Sequence, residues 1–175
     1  MHEFNQMPDQ AARELLRGCC SSARWATLVA GGRPYPGRAA VLAASNAAVD
    51  ALGEADLREA LAGHPRLGDR PASASPSGAG PGGEQGWTSR EQAGVRSGDA
   101  ASQAALESGN ADYELQFGHL YLACATGRSA AELAAFLRER LGSEPEREWQ
   151  VVAGELAAIN RIRLEQLFGG PGGER

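Results

Sequence analysis

The chain has 175 residues, enough for one hydrophobic core, and its formal net charge of -5 and pI near 5.3 make it acidic. This charge argues against nucleic acid and anionic membrane as main partners, and no apolar run reaches the length of a membrane span. The sequence contains no lysine, which excludes Schiff-base chemistry, a pyridoxal-phosphate anchor and a P-loop lysine.

Alanine, leucine and glycine dominate the composition while β-branched and aromatic residues are few, which favours an all-α fold. In the amino-terminal third, apolar residues recur at helical spacing in segments separated by glycine or proline. The helices predicted there are, in chain order, Ala11 to about Cys19, a helix around Trp25 that closes at Gly31 and Gly32, Arg38 to Leu52, and Asp56 to Ala62. Asp56 is the candidate N-cap of the last of these helices, and Gly63 ends it.

The second half of the chain predicts three longer helices. Their predicted positions are Asp99 to about Ala125, a helix that starts with the capping box Ser129 to Glu132, and a last helix that starts at Ser143 to Glu146 and extends through Leu167. Gly109 and Gly118 are positions where the first of these could bend or break. The Pro/Gly/Ser-rich segment 68–86 predicts a long loop, and residues 169–175 predict a disordered tail after a single helical domain at 1–168.

The cysteines point to a reducing compartment. Cys19 and Cys20 are adjacent and Cys124 is distant, a pattern that fits neither a disulfide framework nor a Cys/His metal site. The polar amino terminus also lacks the apolar core of a signal peptide. We therefore expect a cytoplasmic protein with reduced thiols and no bound metal.

His64 is the first candidate catalytic residue. It lies just after a predicted helix and directly before Pro65, and proline restricts the preceding residue to extended geometry. The carboxyl end of the helix would favour the protonated ring, which suits a general acid. The alternative is an ordinary surface histidine at the end of a helix.

Glu91 is the second candidate, and it has a structural alternative. Residues Thr88 to Glu91 form a capping box, in which Thr88 is the N-cap and Glu91 returns to the N-cap amide. The two roles are compatible, because a carboxylate, a hydroxyl and free amides at a helix start can also hold an anionic ligand. An imidazole from His64 and a carboxylate from Glu91 would make an acid–base pair in one pocket.

Two further polar residues lie in apolar surroundings. Arg163 falls on the apolar face of the last predicted helix, where a guanidinium needs a carboxylate or a ligand anion as its partner. An internal salt bridge and a ligand contact are both consistent with that position. His119 follows Phe117 and Gly118 in an apolar stretch and is interpreted as a packed or pocket-lining histidine.

Four motifs, in this order, resemble the 2-oxo-4-hydroxy-4-carboxy-5-ureidoimidazoline (OHCU) decarboxylase family over nearly the whole chain, from about Phe4 to Phe168. They are His64-Pro65-Arg66-Leu67-Gly68, Trp87-Thr88-x-x-Glu91-Gln92, Phe117-Gly118 and Ile159-x-x-x-Arg163-Leu164. Trp25 followed by Arg33-Pro34-Tyr35 is similar to the family's early Trp…Arg-Pro-Phe signature. Each motif is weak alone, whereas four in the same order are specific.

The resemblance implies an all-helical, dimeric, cofactor-free enzyme that releases CO2 from OHCU and yields (S)-allantoin in urate degradation. It implies that His64 is the catalytic histidine and that Glu91 is its acid–base partner. The substrate contacts that it implies are Pro65, Thr88, Gln92, Arg163 and the segment formed by Tyr121, Leu122, Ala123, Cys124 and Ala125. The expected partners are then a small ureide substrate and a second copy of the chain.

Three features depart from the family pattern. Thr88 stands where the family usually has serine, His119 replaces the aromatic residue that commonly follows Phe-Gly, and the loop at 68–86 is rich in glycine and proline. The first two changes fall near the implied pocket. Two alternatives therefore stand beside the decarboxylase: a non-catalytic helical binding module, and a lyase or hydrolase that acts on a related ureide.

Overall fold

A computed structural model describes residues 1–68, 95 and 98–169 of the chain. Within these ranges the protein consists of eight α-helices and contains no β-strand, so the prediction of an all-α fold is confirmed. In chain order the helices are α1 (His2–Gln6), α2 (Asp9–Arg17), α3 (Ala23–Gly31), α4 (Arg38–Asp50), α5 (Glu54–Ala62), α6 (Ala100–Phe117), α7 (Ala130–Arg140) and α8 (Pro145–Phe168).

Several sequence predictions lie outside the described residues. They concern the loop at 68–86 beyond Gly68, the tail at 169–175 beyond Gly169, and the candidate site residues Thr88, Glu91 and Gln92. These stay predictions.

The helix starts follow the capping chemistry of the sequence, with one correction. Ser129 and Glu132 form the predicted capping box at the start of α7, where each side chain bonds the backbone amide of the other residue. The prediction that Asp56 is an N-cap is wrong, because α5 begins two residues earlier, at Glu54. Asp56 is the third residue of that helix, and its carboxylate accepts a hydrogen bond from the amide of Gly53 at 3.1 Å.

The helix predicted from Asp99 to about Ala125 ends earlier than expected. It stops at Phe117 because Gly118 adopts the left-handed conformation, with φ of 68°, that terminates a helix. Residues 120–125 are not helical. Gly109 does not interrupt α6; a Cβ atom at this position would lie 2.5 Å from Cδ2 of Leu137, so the glycine permits close packing between α6 and α7.

Two hydrophobic clusters make up the core, and the non-helical segment at 121–125 runs between them. One cluster is formed by α1 to α5 with α8, and the other by α6 and α7. Leu122 and Cys124 belong to the first cluster, whereas Tyr121, Ala123 and Ala125 belong to the second. Alternation of side chains between two sides is the pattern of an extended chain. The segment therefore contributes to both halves of the interior.

A buried ion pair connects this segment to the helices. Arg140 at the end of α7 and Glu148 in α8 are 2% and 0% exposed, and Nε of the arginine donates to Oε1 of the glutamate at 2.8 Å. The second arm of Arg140 donates to the carbonyl of Leu122 at 2.5 Å. Tyr113 in α6 donates its hydroxyl to the same carboxylate, and burial raises the pKa of Tyr113 so that this proton is retained. The pair thus joins α6, α7, α8 and the segment.

Removal of Glu148 should destabilise the fold strongly, because it leaves the guanidinium of Arg140 buried without its carboxylate. We expect Glu148→Ala to lower the free energy of unfolding by about 3–5 kcal/mol, as measured by urea denaturation followed by circular dichroism. Glu165→Ala on the same helix is the matched control. Its carboxylate pairs with Arg161 at the surface, and its loss should cost less than about 1 kcal/mol. Equal stability of the two variants would contradict this account of the ion pair.

Candidate active site

A recess opens between the end of α5, the segment at 121–125 and the middle of α8. The residues that line it are His64, Pro65, Leu67, Tyr121, Leu122, Ala123, Cys124, Ala125, Thr126, Ile159 and Ile162. This set includes His64, which the family resemblance implies is catalytic, and Pro65 and all five residues of the segment at 121–125, which it implies contact the substrate. Residues far apart in the chain are therefore brought together at one place.

His64 is held in a defined orientation at the carboxyl end of α5. Its Nδ1 lies 3.0 Å from the carbonyl oxygen of Ala60, and its backbone amide donates to the carbonyl of Leu61 at 2.9 Å. A carbonyl oxygen only accepts hydrogen bonds, so Nδ1 carries the proton in this contact. In the neutral ring the basic nitrogen is then Nε2.

Two side chains of α6 fix the short connection that follows His64. Arg66 forms a bidentate pair with Glu114, with nitrogen–oxygen distances of 2.6 and 3.0 Å. Asn110, which is 2% exposed, donates to the carbonyl of Leu67 at 2.9 Å. A bidentate guanidinium–carboxylate pair restricts both distance and angle. His64 is thus positioned from α5 on one side and, through this connection, from α6 on the other.

The segment at 121–125 is fixed by charged side chains on one backbone edge. Arg140 binds the carbonyl of Leu122, as described above, and Glu155 of α8 accepts a hydrogen bond from the amide of Cys124 at 2.7 Å. Glu155 in turn pairs with Arg128 at 3.0 and 3.2 Å. The segment therefore holds its place without a neighbouring strand within the described part of the chain.

Arg163 is fully buried in α8, on the turn that also carries the recess residues Ile159 and Ile162. Its Nη1 donates to the carbonyl oxygen of Cys19 at 2.7 Å. This bond links α8 to the end of α2. The buried position of Arg163 agrees with its predicted location on the apolar face of the last helix. The substrate contact that the resemblance implies for Arg163 stays a prediction.

His119 is packed in the interior rather than placed on the recess wall. It is 8% exposed, its ring stacks on Trp149 with centroids 4.1 Å apart, and it meets the edge of Tyr113 at 5.4 Å. Nδ1 donates to the carbonyl of Leu120 at 3.1 Å. The packed histidine was one of the two interpretations of this position, and the structure supports it.

Sequence reasoning missed the charged residues that support the segment. Arg140 follows Leu133 and Leu137 at helical spacing, which places it on the buried face of α7. A charge on such a face signals a buried ion pair, and this signal was available. Glu155 had no such signal, because its partner is a backbone amide 31 residues away.

The described residues contain neither a candidate metal site nor a candidate membrane span. No group of three or more His, Cys, Asp or Glu side chains is arranged to hold a metal ion. No helix there is long and apolar enough to cross a membrane.

The model of the OHCU decarboxylase family matches residues 5–165 of the chain. The chain belongs to the OHCU decarboxylase family.

Two curated relatives agree with this membership. The uric acid degradation bifunctional protein TTL of Arabidopsis thaliana is 27% identical over 150 residues, which cover 86% of this chain and 45% of that protein. The 2-oxo-4-hydroxy-4-carboxy-5-ureidoimidazoline decarboxylase of Amia calva is 31% identical over 143 residues, which cover 82% of this chain and 79% of the relative. The chain thus spans less than half of the first relative and most of the second.

Two solved structures share the fold. A crystal structure of OHCU decarboxylase in the presence of (S)-allantoin superimposes with a TM-score of 0.73 at 23% identity, and covers 93% of this chain and 99% of the other. A crystal structure of (S)-allantoin synthase gives a TM-score of 0.66 at 19% identity, and covers 94% of this chain and 52% of the other.

His119 should make the stability of the protein depend on pH. Burial lowers the pKa of His119 below its ordinary 6.5, the nearby charge of Arg58 acts in the same direction, and the hydrogen bond to Leu120 opposes them. The unfolded chain therefore takes up the proton at higher pH than the folded one. The stability that the neutral, buried ring of His119 contributes is complete above about pH 6.5. It is lost as the pH falls from there towards the lower pKa of His119 in the folded state.

Urea denaturation between about pH 5.5 and 7.5 measures this effect. His119→Phe keeps an aromatic ring in the stack and should show a weaker loss of unfolding free energy at acidic pH than the wild type. His2→Ala, at an exposed position, is the control. Parallel pH profiles for the wild type and His119→Phe would show that His119 has no part in the dependence.

Proposed function

We propose that the protein decarboxylates OHCU to (S)-allantoin and CO2 in urate degradation. The observation that carries the proposal is the recess in which His64, with a fixed ring, faces the segment at 121–125 in a member of this family. The Amia calva relative bears the name of this activity, and the two solved structures that share the fold are an OHCU decarboxylase in the presence of (S)-allantoin and an (S)-allantoin synthase.

The chemistry of the substrate suits a protein that supplies only position and a proton. OHCU carries a carboxylate on a carbon that also bears a hydroxyl, next to a ring imine. When the carbon–carbon bond to the carboxylate breaks, CO2 leaves and the electron pair forms a double bond to the ureido-bearing carbon, while the imine π pair moves to the ring nitrogen, which takes up a proton. In the resulting enol, the ureido-bearing carbon accepts a proton on one face and the hydroxyl loses its proton to become the carbonyl, which yields the S enantiomer. We propose that this reaction proceeds without a cofactor.

In this mechanism His64 exchanges the proton through Nε2, since Nδ1 is engaged by the carbonyl of Ala60. Positioned proton transfer of this kind contributes about 10²–10⁴-fold to a rate. Glu91 would orient the imidazole and balance its charge. Both roles come to this chain by matching the family's motifs at these positions.

Substrate binding is assigned to groups around that proton donor. Backbone atoms of the segment at 121–125 and the ring of Pro65 form one wall. Arg163 and Thr88 would hold polar atoms of the ring and of the ureido group, and Gln92 would fix the ureido group through its amide. Orientation of the scissile bond is the main contribution expected from these contacts.

The resemblance also supports a quaternary and cellular context. We propose that the protein acts as a homodimer in the cytoplasm, as one helical domain at 1–168. Size-exclusion chromatography with light scattering measures the mass in solution, for which the chain mass of 18.3 kDa is the monomer reference.

A coupled assay tests the activity. Urate oxidase and hydroxyisourate hydrolase generate OHCU from urate, and circular dichroism follows the appearance of (S)-allantoin. We expect rapid formation of one enantiomer with the wild type, and a loss of about 10²–10⁴-fold in kcat with His64→Ala.

His2→Ala is the matched control, because it removes a histidine from an exposed position. It should retain the wild-type rate. Folded wild-type protein that forms allantoin no faster than the spontaneous racemic decay would overturn the proposed function. It would favour a binding module, or an enzyme for a related ureide, which a panel of ureides in the same assay would then identify.

A further inference from the structure

The segment at 121–125 lines the recess, and side chains of the helices bind its backbone on one edge. The carbonyl of Leu122 and the amide of Cys124 both bind side chains of the surrounding helices. In an extended chain, backbone groups two residues apart lie on the same edge, and those of the residue between them lie on the opposite edge. The amide and carbonyl of Ala123 are therefore directed away from Arg140 and Glu155. Ala123 lines the recess.

This arrangement makes Ala123 a complementary partner for amide groups of a ligand. Among the described residues no group forms a hydrogen bond with its amide or its carbonyl. A buried backbone amide and carbonyl need partners from protein, water or ligand. A ureide offers both N–H donors and carbonyl acceptors. The amide of Ala123 is thus one donor and its carbonyl is one acceptor for a ligand in the recess. Their positions depend on the hydrogen bonds that hold Leu122 and Cys124 on the opposite edge.

Glu155 is the residue that fixes the opposite edge at Cys124. Its side chain is 12% exposed, and one oxygen accepts both the Cys124 amide at 2.7 Å and Nη1 of Arg128 at 3.0 Å. The guanidinium of Arg128 is itself constrained, since it lies 5.0 Å from the ring centroid of Phe136. A carboxylate held by an arginine in this way has little freedom to leave the amide.

We propose that Glu155 is a positioning residue for substrate binding. It aligns the backbone of Ala123 through its bond to Cys124, and it does not itself touch the substrate. This proposal rests on the proposed function for its kinetic consequence, whereas the anchoring of the Cys124 amide stands independently of any activity.

A matched pair of variants separates the hydrogen bond from the charge. Glu155→Gln and Glu155→Met both remove the negative charge, and with it the ion pair to Arg128. Only the glutamine keeps an oxygen that can accept the Cys124 amide. Glu165→Gln and Glu165→Met provide the same pair of substitutions at an exposed position of the same helix.

The first readout is residue-resolved hydrogen exchange by NMR on the free, full-length protein. We expect slow exchange of the Cys124 amide in the wild type and in Glu155→Gln, and faster exchange in Glu155→Met. Both Glu165 variants should behave as the wild type. Unprotected Cys124 in the wild type, or identical exchange in the two Glu155 variants, would overturn the anchoring. The wild-type measurement holds even if Glu155→Met fails to fold.

The second readout is steady-state kinetics in the coupled assay. Because the segment binds substrate before the reaction, Glu155→Met should lose about 10- to 100-fold in kcat/KM, mainly through KM, while Glu155→Gln stays within about threefold of the wild type. A loss in kcat alone, or equal losses in both variants, would contradict the positioning role. An inactive wild type with a protected Cys124 amide would refute the proposed function and leave the anchoring intact.

Discussion

The buried guanidinium of Arg140 holds three helices and the non-helical segment at 121–125 together. It lies in the interior at the end of α7, pairs with Glu148 of α8 and binds the carbonyl of Leu122. It also lies over the ring of Tyr121, 4.7 Å from its centroid, and donates a hydrogen bond to the hydroxyl oxygen of Tyr113 at 3.1 Å. A buried charge is costly unless each of its donors finds a partner, and here the partners belong to two other helices, α6 and α8, and to a non-helical segment. The relative placement of these elements is therefore narrowly defined.

The non-helical segment that forms one wall of the recess requires these hydrogen bonds from side chains. Residues 121–125 are non-helical in a helical protein, and within the described ranges no strand pairs with them. Backbone groups that leave water must find other partners. Arg140 and Glu155 supply these partners from side chains of the surrounding helices. In the proposed function, the residues that satisfy these backbone groups also shape the wall at which the substrate binds.

The sequence was informative about the helices and about residues that are local to a motif. Neighbours within about one helical turn determine three of these features: the capping box at Ser129, the end of α5 before His64 and the buried position of Arg163. The end of α6 could not be predicted in this way. From the sequence, Gly118 is compatible with either a bend or a helix end, and its left-handed conformation in the structure shows that the helix ends there. The supporting role of Glu155 could not be predicted from the sequence for a similar reason. A bond between a side chain and a backbone amide 31 residues away leaves no pattern of spacing.

We propose that His64 and the backbone at Ala123 enclose the site at which the ureide is held. A crystal structure of this protein with (S)-allantoin tests it most directly. The account predicts the product in the recess, with its ureido or ring amide hydrogen-bonded to the amide and carbonyl of Ala123 and with Nε2 of His64 directed at its ureido-bearing carbon. Allantoin bound elsewhere, for example in the groove of α4, α5 and α8 beside Trp149, with the recess empty, would contradict the account.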